Sequence, residues 1–188
     1  MATFDSFSDQ VRRRAERIAE SSAAALAGLY DLTAQRLVRY ATTITANQHD
    51  AEDAVSAALV RVAREPRLLC RAERPWAYLL RMVRNESLLI LRKKKRWSLL
   101  GDLSDLLTRR SSDPIEIEDQ QRAVWSALRS LPTEQSEVVV LKIWEDMTFA
   151  QISEVLEVSP STAASRYRYA IEKLSGKLRS SDAEVIHE

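Results

Sequence analysis

Cysteine is almost absent. Cys70 stands alone in 188 residues, which excludes an internal disulfide and any cysteine-based zinc cluster. A redox role for a lone thiol needs a lowered pKa, which a sequence does not display. Histidine is nearly as scarce, with His49 and the penultimate His187. There is no phosphate-cradling glycine loop and no metal-spaced ligand set, so nothing assembles a reactive constellation. The expectation is a protein that is not an enzyme and that takes no cofactor or metal. No run approaches the roughly 18 apolar residues that span a bilayer, and Met1 to Gln10 lacks the basic-then-apolar pattern of a signal peptide. Cytoplasmic location without membrane insertion is therefore expected. Three glycines and five prolines are few for a chain rich in Ala, Leu, Arg and Glu, and this argues for helices joined by few turns. Hydrophobic residues make up 45%, enough for packed cores, and the length fits one large domain or two small ones.

A net charge of +1 conceals a division along the chain. Residues 1–97 carry 18 Lys and Arg against 11 Asp and Glu, 98–130 carry 4 against 6, and 131–188 carry 6 against 10. The N-terminal half is thus the part expected to attract a polyanion such as nucleic acid over distance, while the C-terminal half would depend on local geometry.

The stretch from Leu131 to Leu178 reads as a helix, a short second helix, a tight turn and a longer third helix. Thr148 precedes Gln151 by three residues, a capping-box spacing that starts the second helix near Phe149. Ile152, Val155 and Leu156 give it one apolar face. Glu157 to Ser159 form the turn, and Ser159 followed by Pro160 supplies an N-cap oxygen and a first-turn proline. Along the third helix Ala163, Tyr167, Ala170, Ile171 and Leu174 share one side, while Ser161, Ser165, Arg168 and Tyr169 fall mostly on the other. Hydroxyls, a guanidinium and an aromatic at a helix N-terminus suit a DNA major groove. Spacing alone also fits an ordinary helical hairpin within a core.

Earlier in the chain, VRRRAERIAE continues a helix as a basic, solvated arm. Ala23 to Thr45 places Leu26, Leu29, Tyr30, Leu37, Val38, Ala41 and Ile44 at helical spacing, a core-facing stripe. In DAEDAVSAALVRVAREP, Asp50 is positioned to cap the next helix and Pro66 ends it. Residues 64–75 form a turn-rich basic segment. In the helix after it, Trp76, Leu79, Leu80, Val83 and Ser87 trace a buried stripe, with Arg81, Arg84 and Asn85 toward another face. Trp76 reads first as core and second as a base-stacking residue. Arg92 to Arg96 are five consecutive cations; at helical spacing they cannot all face one way, so about three reach phosphates. Trp97 closes the domain. Residues 98–114 read as a linker, although Leu99, Leu100, Leu103, Leu106 and Leu107 equip it to form a short helix or lie in a groove. Ile115 to Ser130 form a further helix, and the tail after Leu178 is frayed.

The run from Leu131 to Leu174 resembles region four of bacterial RNA polymerase sigma factors, especially the extracytoplasmic-function group. The opening Leu-Pro, the apolar helix, the short helix after Thr148 and the Thr162–Arg166 pattern occur in that family's order. The Asp50 helix resembles the family's polymerase-docking helix, and Trp76, Leu79, Val83, Arg84, Asn85, Arg92 and Arg96 match its region-two pattern. Three departures stand in the docking helix. Ser56 and Ala57 replace the usual Gln and acid, and Ala54 replaces a Leu. Loss of the polar pair weakens docking by about 1 to 2 kcal/mol, on the order of one charge-assisted hydrogen bond.

The resemblance implies an all-α protein of two small helical domains: a region-two-like domain at 1–97, the linker 98–114, a helix-turn-helix domain at 115–180 and a tail at 181–188. It implies binding to core RNA polymerase through Asp50, Glu52, Asp53, Ser56 and Arg61. The −10 promoter element would meet Trp76, Arg81, Arg84, Asn85, Arg92, Lys93 and Arg96, with a base flipped into the 64–75 segment. The −35 element would meet Ser161, Thr162, Ala164, Ser165, Arg166, Arg168 and Tyr169, with Ala164 in place of the usual Lys or Arg. Partners would be core polymerase, promoter DNA and, in many relatives, an anti-sigma factor. The alternative is an autonomous helix-turn-helix regulator that binds no polymerase; a third possibility is an interaction module that no longer reads promoters.

Overall fold

The computed structural model describes residues 6–19, 23–99 and 119–185. All regular elements among these are α-helices, and the chain divides into two compact units, Met1–Ser112 and Asp113–Glu188. Most of the expected linker 98–114 lies outside the described residues, as do residues 115–118 of the expected helix from Ile115.

The first unit contains α1 (Phe7–Ala19), α2 (Ala23–Thr45), α3 (Gln48–Arg64), α4 (Arg67–Cys70) and α5 (Pro75–Leu99). Leu29, Leu37, Tyr40, Ala41 and Ile44 of α2 are buried, and Tyr30 is not. The aromatic in the core is thus Tyr40, because burial of Leu29 and Leu37 sets a helical phase that turns Tyr30 outward. Thr33 is buried on the same face and donates its hydroxyl to the Leu29 carbonyl at 2.7 Å. Ala51, Ala54 and Ala58 of α3 are completely buried, so small side chains let α3 lie close to its neighbours. Ala54 is therefore a packing residue, and the departure there belongs to the core.

The start of α3 differs from expectation. Its N-cap is Asn47, whose side chain accepts from the Asp50 N–H at 3.0 Å. The Asp50 carboxylate instead accepts from Lys94 Nζ at 2.7 Å. In α5 the expected stripe of Trp76, Leu79, Leu80, Val83 and Ser87 is buried, with the Ser87 hydroxyl donated to the Val83 carbonyl at 2.9 Å. Trp97 is 60% exposed, so it does not close the domain; the helix has passed beyond the core by that point. The basic arm is likewise no free arm, since Val11, Ala15 and Ile18 of α1 are buried.

The second unit contains α6 (Asp119–Arg129), α7 (Thr133–Ile143), α8 (Phe149–Leu156) and α9 (Pro160–Val185). The capping box opens α8: Thr148 N–H donates to Gln151 Oε1 at 2.8 Å, and Gln151 N–H donates to Thr148 Oγ1 at 3.3 Å. Ile152, Val155 and Leu156 are buried against a core that includes Val138 to Leu141, Ala163 and Ala170. Glu157 takes the left-handed conformation with φ 56° and ends α8. Ser159 Oγ accepts from the Thr162 N–H at 3.0 Å, and α9 begins at Pro160. Helix α9 continues past Leu178 to Val185, so most of the expected tail 181–188 is helical.

Thr148→Ala removes the side-chain acceptor of the cap and is expected to lower stability by about 1 kcal/mol in denaturant titration. Ile152→Ala, at a fully buried position, is expected to cost about 2 to 5 kcal/mol. Equal losses at the two sites would contradict the division between a solvent-facing cap and a packed core.

Candidate nucleic-acid interface

Packing of Ala163 and Ala170 into the second unit leaves the opposite side of α9 outward. Ser161, Thr162, Arg168 and Tyr169 are exposed there, while Ala164, Ser165 and Arg166 are half-buried. Helical spacing puts Ser161, Ser165 and Arg168 along the centre of the outward strip, with Thr162, Ala164 and Tyr169 on its flanks. Arg166 falls closest to the buried side. The first turn carries a hydroxyl cluster, with Ser159 Oγ 2.8 Å from Ser161 Oγ and 2.7 Å from Thr162 Oγ1. Arg168 lies over the Tyr169 ring, 5.2 Å from its centroid, which pre-orders a guanidinium beside an aromatic. Tyr167 faces the other way and meets Phe149 edge-on at 5.8 Å, tying α9 to α8. A positive helix end with hydroxyls and an arginine is equipped for phosphates and base edges.

The first unit has its own strip. Asn85, Arg92, Lys93 and Arg96 are exposed, and Arg81 and Arg84 are half-buried. Arg81, Asn85, Arg92 and Arg96 recur at spacings of about four and seven, which aligns them along one side of α5. Arg81 lies 5.1 Å from the Tyr78 ring centroid. Lys94, in the middle of the cationic run, turns away to Asp50. Trp76 does not join the strip. It is 3% exposed and Phe7 meets it edge-on with centroids 4.9 Å apart, so its ring is core and unavailable for base stacking.

On α3, Glu52, Asp53, Ser56 and Arg61 are exposed, and so is Ala57. Asp50 is buried and paired with Lys94, which separates it from these four. The pairing spans 44 residues, and no local pattern signals it. The docking of α1 was legible in the spacing of Val11, Ala15 and Ile18, which puts three apolar side chains on one face of an otherwise charged segment. Among the described residues no group of side chains is arranged to hold a metal ion, and no helix is long and apolar enough to cross a membrane.

Comparison with known proteins follows the same two-part division. The family model for Sigma-70 region 2 matches residues 29–97, and that for Sigma-70, region 4 matches residues 121–174. The ECF RNA polymerase sigma factor SigL of Mycobacterium tuberculosis is 29% identical over 164 residues, which cover 86% of this chain and 93% of the relative. The solved structure of CnrH in complex with the cytosolic domain of CnrY is similar in fold, with a TM-score of 0.63 at 22% identity, covering 92% of this chain and 99% of CnrH. With regions two and four in sequence on two helical units, the chain belongs to the sigma-70 family of RNA polymerase sigma factors, in its extracytoplasmic-function group.

Proposed function

We propose that this protein binds core RNA polymerase and directs transcription initiation at specific promoters. The observation that carries this function is the presence, in one chain, of a region-two unit and a region-four helix-turn-helix. An autonomous regulator needs only the second. Promoter recognition then divides between two strips of different character.

In this reading the outward side of α9 reads the −35 element through Ser161, Thr162, Ser165, Arg168 and Tyr169, with Ala164 and Arg166 at its margins. Hydroxyls and the guanidinium supply base-edge contacts, and the helix N-terminus faces the phosphate backbone. The strip on α5 meets the −10 element, where Asn85 offers an amide and Arg92, Lys93 and Arg96 neutralise phosphates, supported by Arg81 and Arg84. The basic segment 64–75 receives an extruded base, and its neighbouring cations offset the cost of unstacking. Glu52, Asp53, Ser56 and Arg61 on α3 form the polymerase-facing surface, and Asp50 supports that surface from behind through Lys94. No catalysis is assigned to this chain; phosphoryl transfer belongs to the polymerase, and the site of action is the cytoplasm.

A protein partner completes the proposal. CnrH was solved with the cytosolic domain of CnrY bound, and an anti-sigma factor of this chain would bind it in an analogous way.

Co-purification with bacterial core RNA polymerase, followed by run-off transcription from the DNA upstream of the protein's own gene, tests the function. Core binding with a promoter-dependent transcript is expected; DNA binding without core binding would replace this reading with the autonomous regulator. Arg168→Ala is expected to reduce promoter binding by about 1 to 3 kcal/mol with an unchanged circular dichroism spectrum. Equal affinities of parent and variant for promoter and scrambled duplex would remove Arg168 from the interface. Arg92→Ala and Arg96→Ala are each expected to weaken DNA binding with little sequence dependence and to lower the slope of log affinity against log salt by about 1. An unchanged salt slope would show that these side chains meet no phosphate.

A further inference from the structure

Helix α1 precedes the segment matched by region two, which begins at residue 29. It is nevertheless fastened to that unit at several points. Val11, Ala15 and Ile18 are buried. Arg14 donates from Nη1 to the Gly28 carbonyl at 2.5 Å, and a Cβ at residue 28 would collide with that guanidinium. Two further contacts of α1 fall at or beside the corner Arg71–Pro75 between α4 and α5. Arg12 donates to the Glu73 carbonyl. Phe7 covers Trp76, the residue after the corner, and the Arg36 guanidinium lies over the Phe7 ring at 3.8 Å from its centroid.

The corner also has local backbone bonds: Arg71 N–H donates to the Arg67 carbonyl at 3.1 Å, and Tyr78 N–H donates to the Arg74 carbonyl at 3.0 Å. Pro75 has no N–H to donate, and Ala72 N–H reaches the Leu69 carbonyl at 3.3 Å, near the long end of hydrogen bonding. A charged donor on the Glu73 carbonyl and an aromatic lid on Trp76 add tertiary fastenings to the corner that presents Arg71, Arg74 and the first turn of α5.

We infer that α1 is a positioning brace for this corner, with Phe7 and Arg12 acting through Trp76 and the Glu73 carbonyl to hold the base-receiving segment in shape for promoter opening. The inference rests on the function proposed above and adds to it a second class of residue, remote from DNA, on which opening depends. Polymerase docking through α3 and duplex recognition through α9 do not involve the brace.

The test uses the full-length protein with bacterial core polymerase and the promoter upstream of its own gene. Phe7→Ala, Arg12→Ala and Arg12→Lys are compared with the parent by permanganate reactivity of unpaired thymines, by affinity for core, and by transcription from duplex and from a template held unpaired over the −10 region. Thermal unfolding sets a temperature at which every variant is folded. Phe7→Ala and Arg12→Ala are expected to lower duplex opening by about tenfold, because part of the offset to base extrusion is lost. On the pre-opened template they are expected to fall by less than about twofold, core affinity is expected to stay unchanged, and Arg12→Lys is expected to recover most of the loss. Full duplex opening by both alanine variants, an equal fall on both templates, or a parallel fall in core affinity would each overturn the brace. A parent protein that itself opens no promoter would overturn the sigma function, and the brace with it.

Discussion

A helix has one rotational phase, and both strips proposed to meet DNA depend on that constraint. Burial of Leu79, Leu80, Val83 and Ser87 in the first unit settles the rotation of α5, and Asn85, Arg92 and Arg96 are outward as a consequence. Burial of Ala163 and Ala170 does the same for α9, turning Ser161, Ser165 and Arg168 away from the core. The chemistry each strip would offer a partner is thus selected by apolar residues on the opposite face of its helix. Small side chains matter here: at Ala163 and Ala170 the α9 backbone lies close to the unit it packs on, so its rotation has little slack.

The two strips differ in what they ask of electrostatics. The N-terminal half carries the excess of cations, and on the strip proposed for DNA Arg92, Lys93 and Arg96 are exposed, where each would contribute through counterion release and not through a buried contact. The C-terminal half is net acidic, so attraction at α9 has to be local: the helix end, the hydroxyl cluster around Ser159 and the Arg168–Tyr169 pair. The Asp50–Lys94 pair is part surface, with Lys94 56% exposed, and a pair of that kind stabilises by at most about 1 kcal/mol. Its structural effect is to remove one charge from the cationic run and one carboxylate from the face of α3.

Departures from the family pattern resolve into two kinds. Ala54 lies in the core, beside Ala51 and Ala58, where it serves the close packing of α3. Ser56 and Ala57 lie outside, on the surface assigned to polymerase, and alter its chemistry without altering the fold. The same distinction applies to Trp76, a core residue that stands at the entrance to a functional helix.

Much of this was legible in the sequence wherever the decisive interaction is local. The Thr148–Gln151 box, the Ser159–Pro160 start, the apolar face of α8 and the buried stripe of α5 each involve residues within a turn or two, so spacing alone specifies them. The helical class followed from few breakers and a strong apolar period, and the two-part division from the linker reading of 98–114 and the resemblance to regions two and four. Tertiary structure decided the rest. Asp50 lies in the first turn of α3 behind the Asn47 cap, and its carboxylate is paired with Lys94 from a distant helix. Tyr40 replaces Tyr30 in the core, and Phe7 closes over Trp76 from the other end of the unit. Periodicity shows which faces a helix has, whereas the partner of each face is set by packing between segments far apart in the chain, and no local pattern records that pairing.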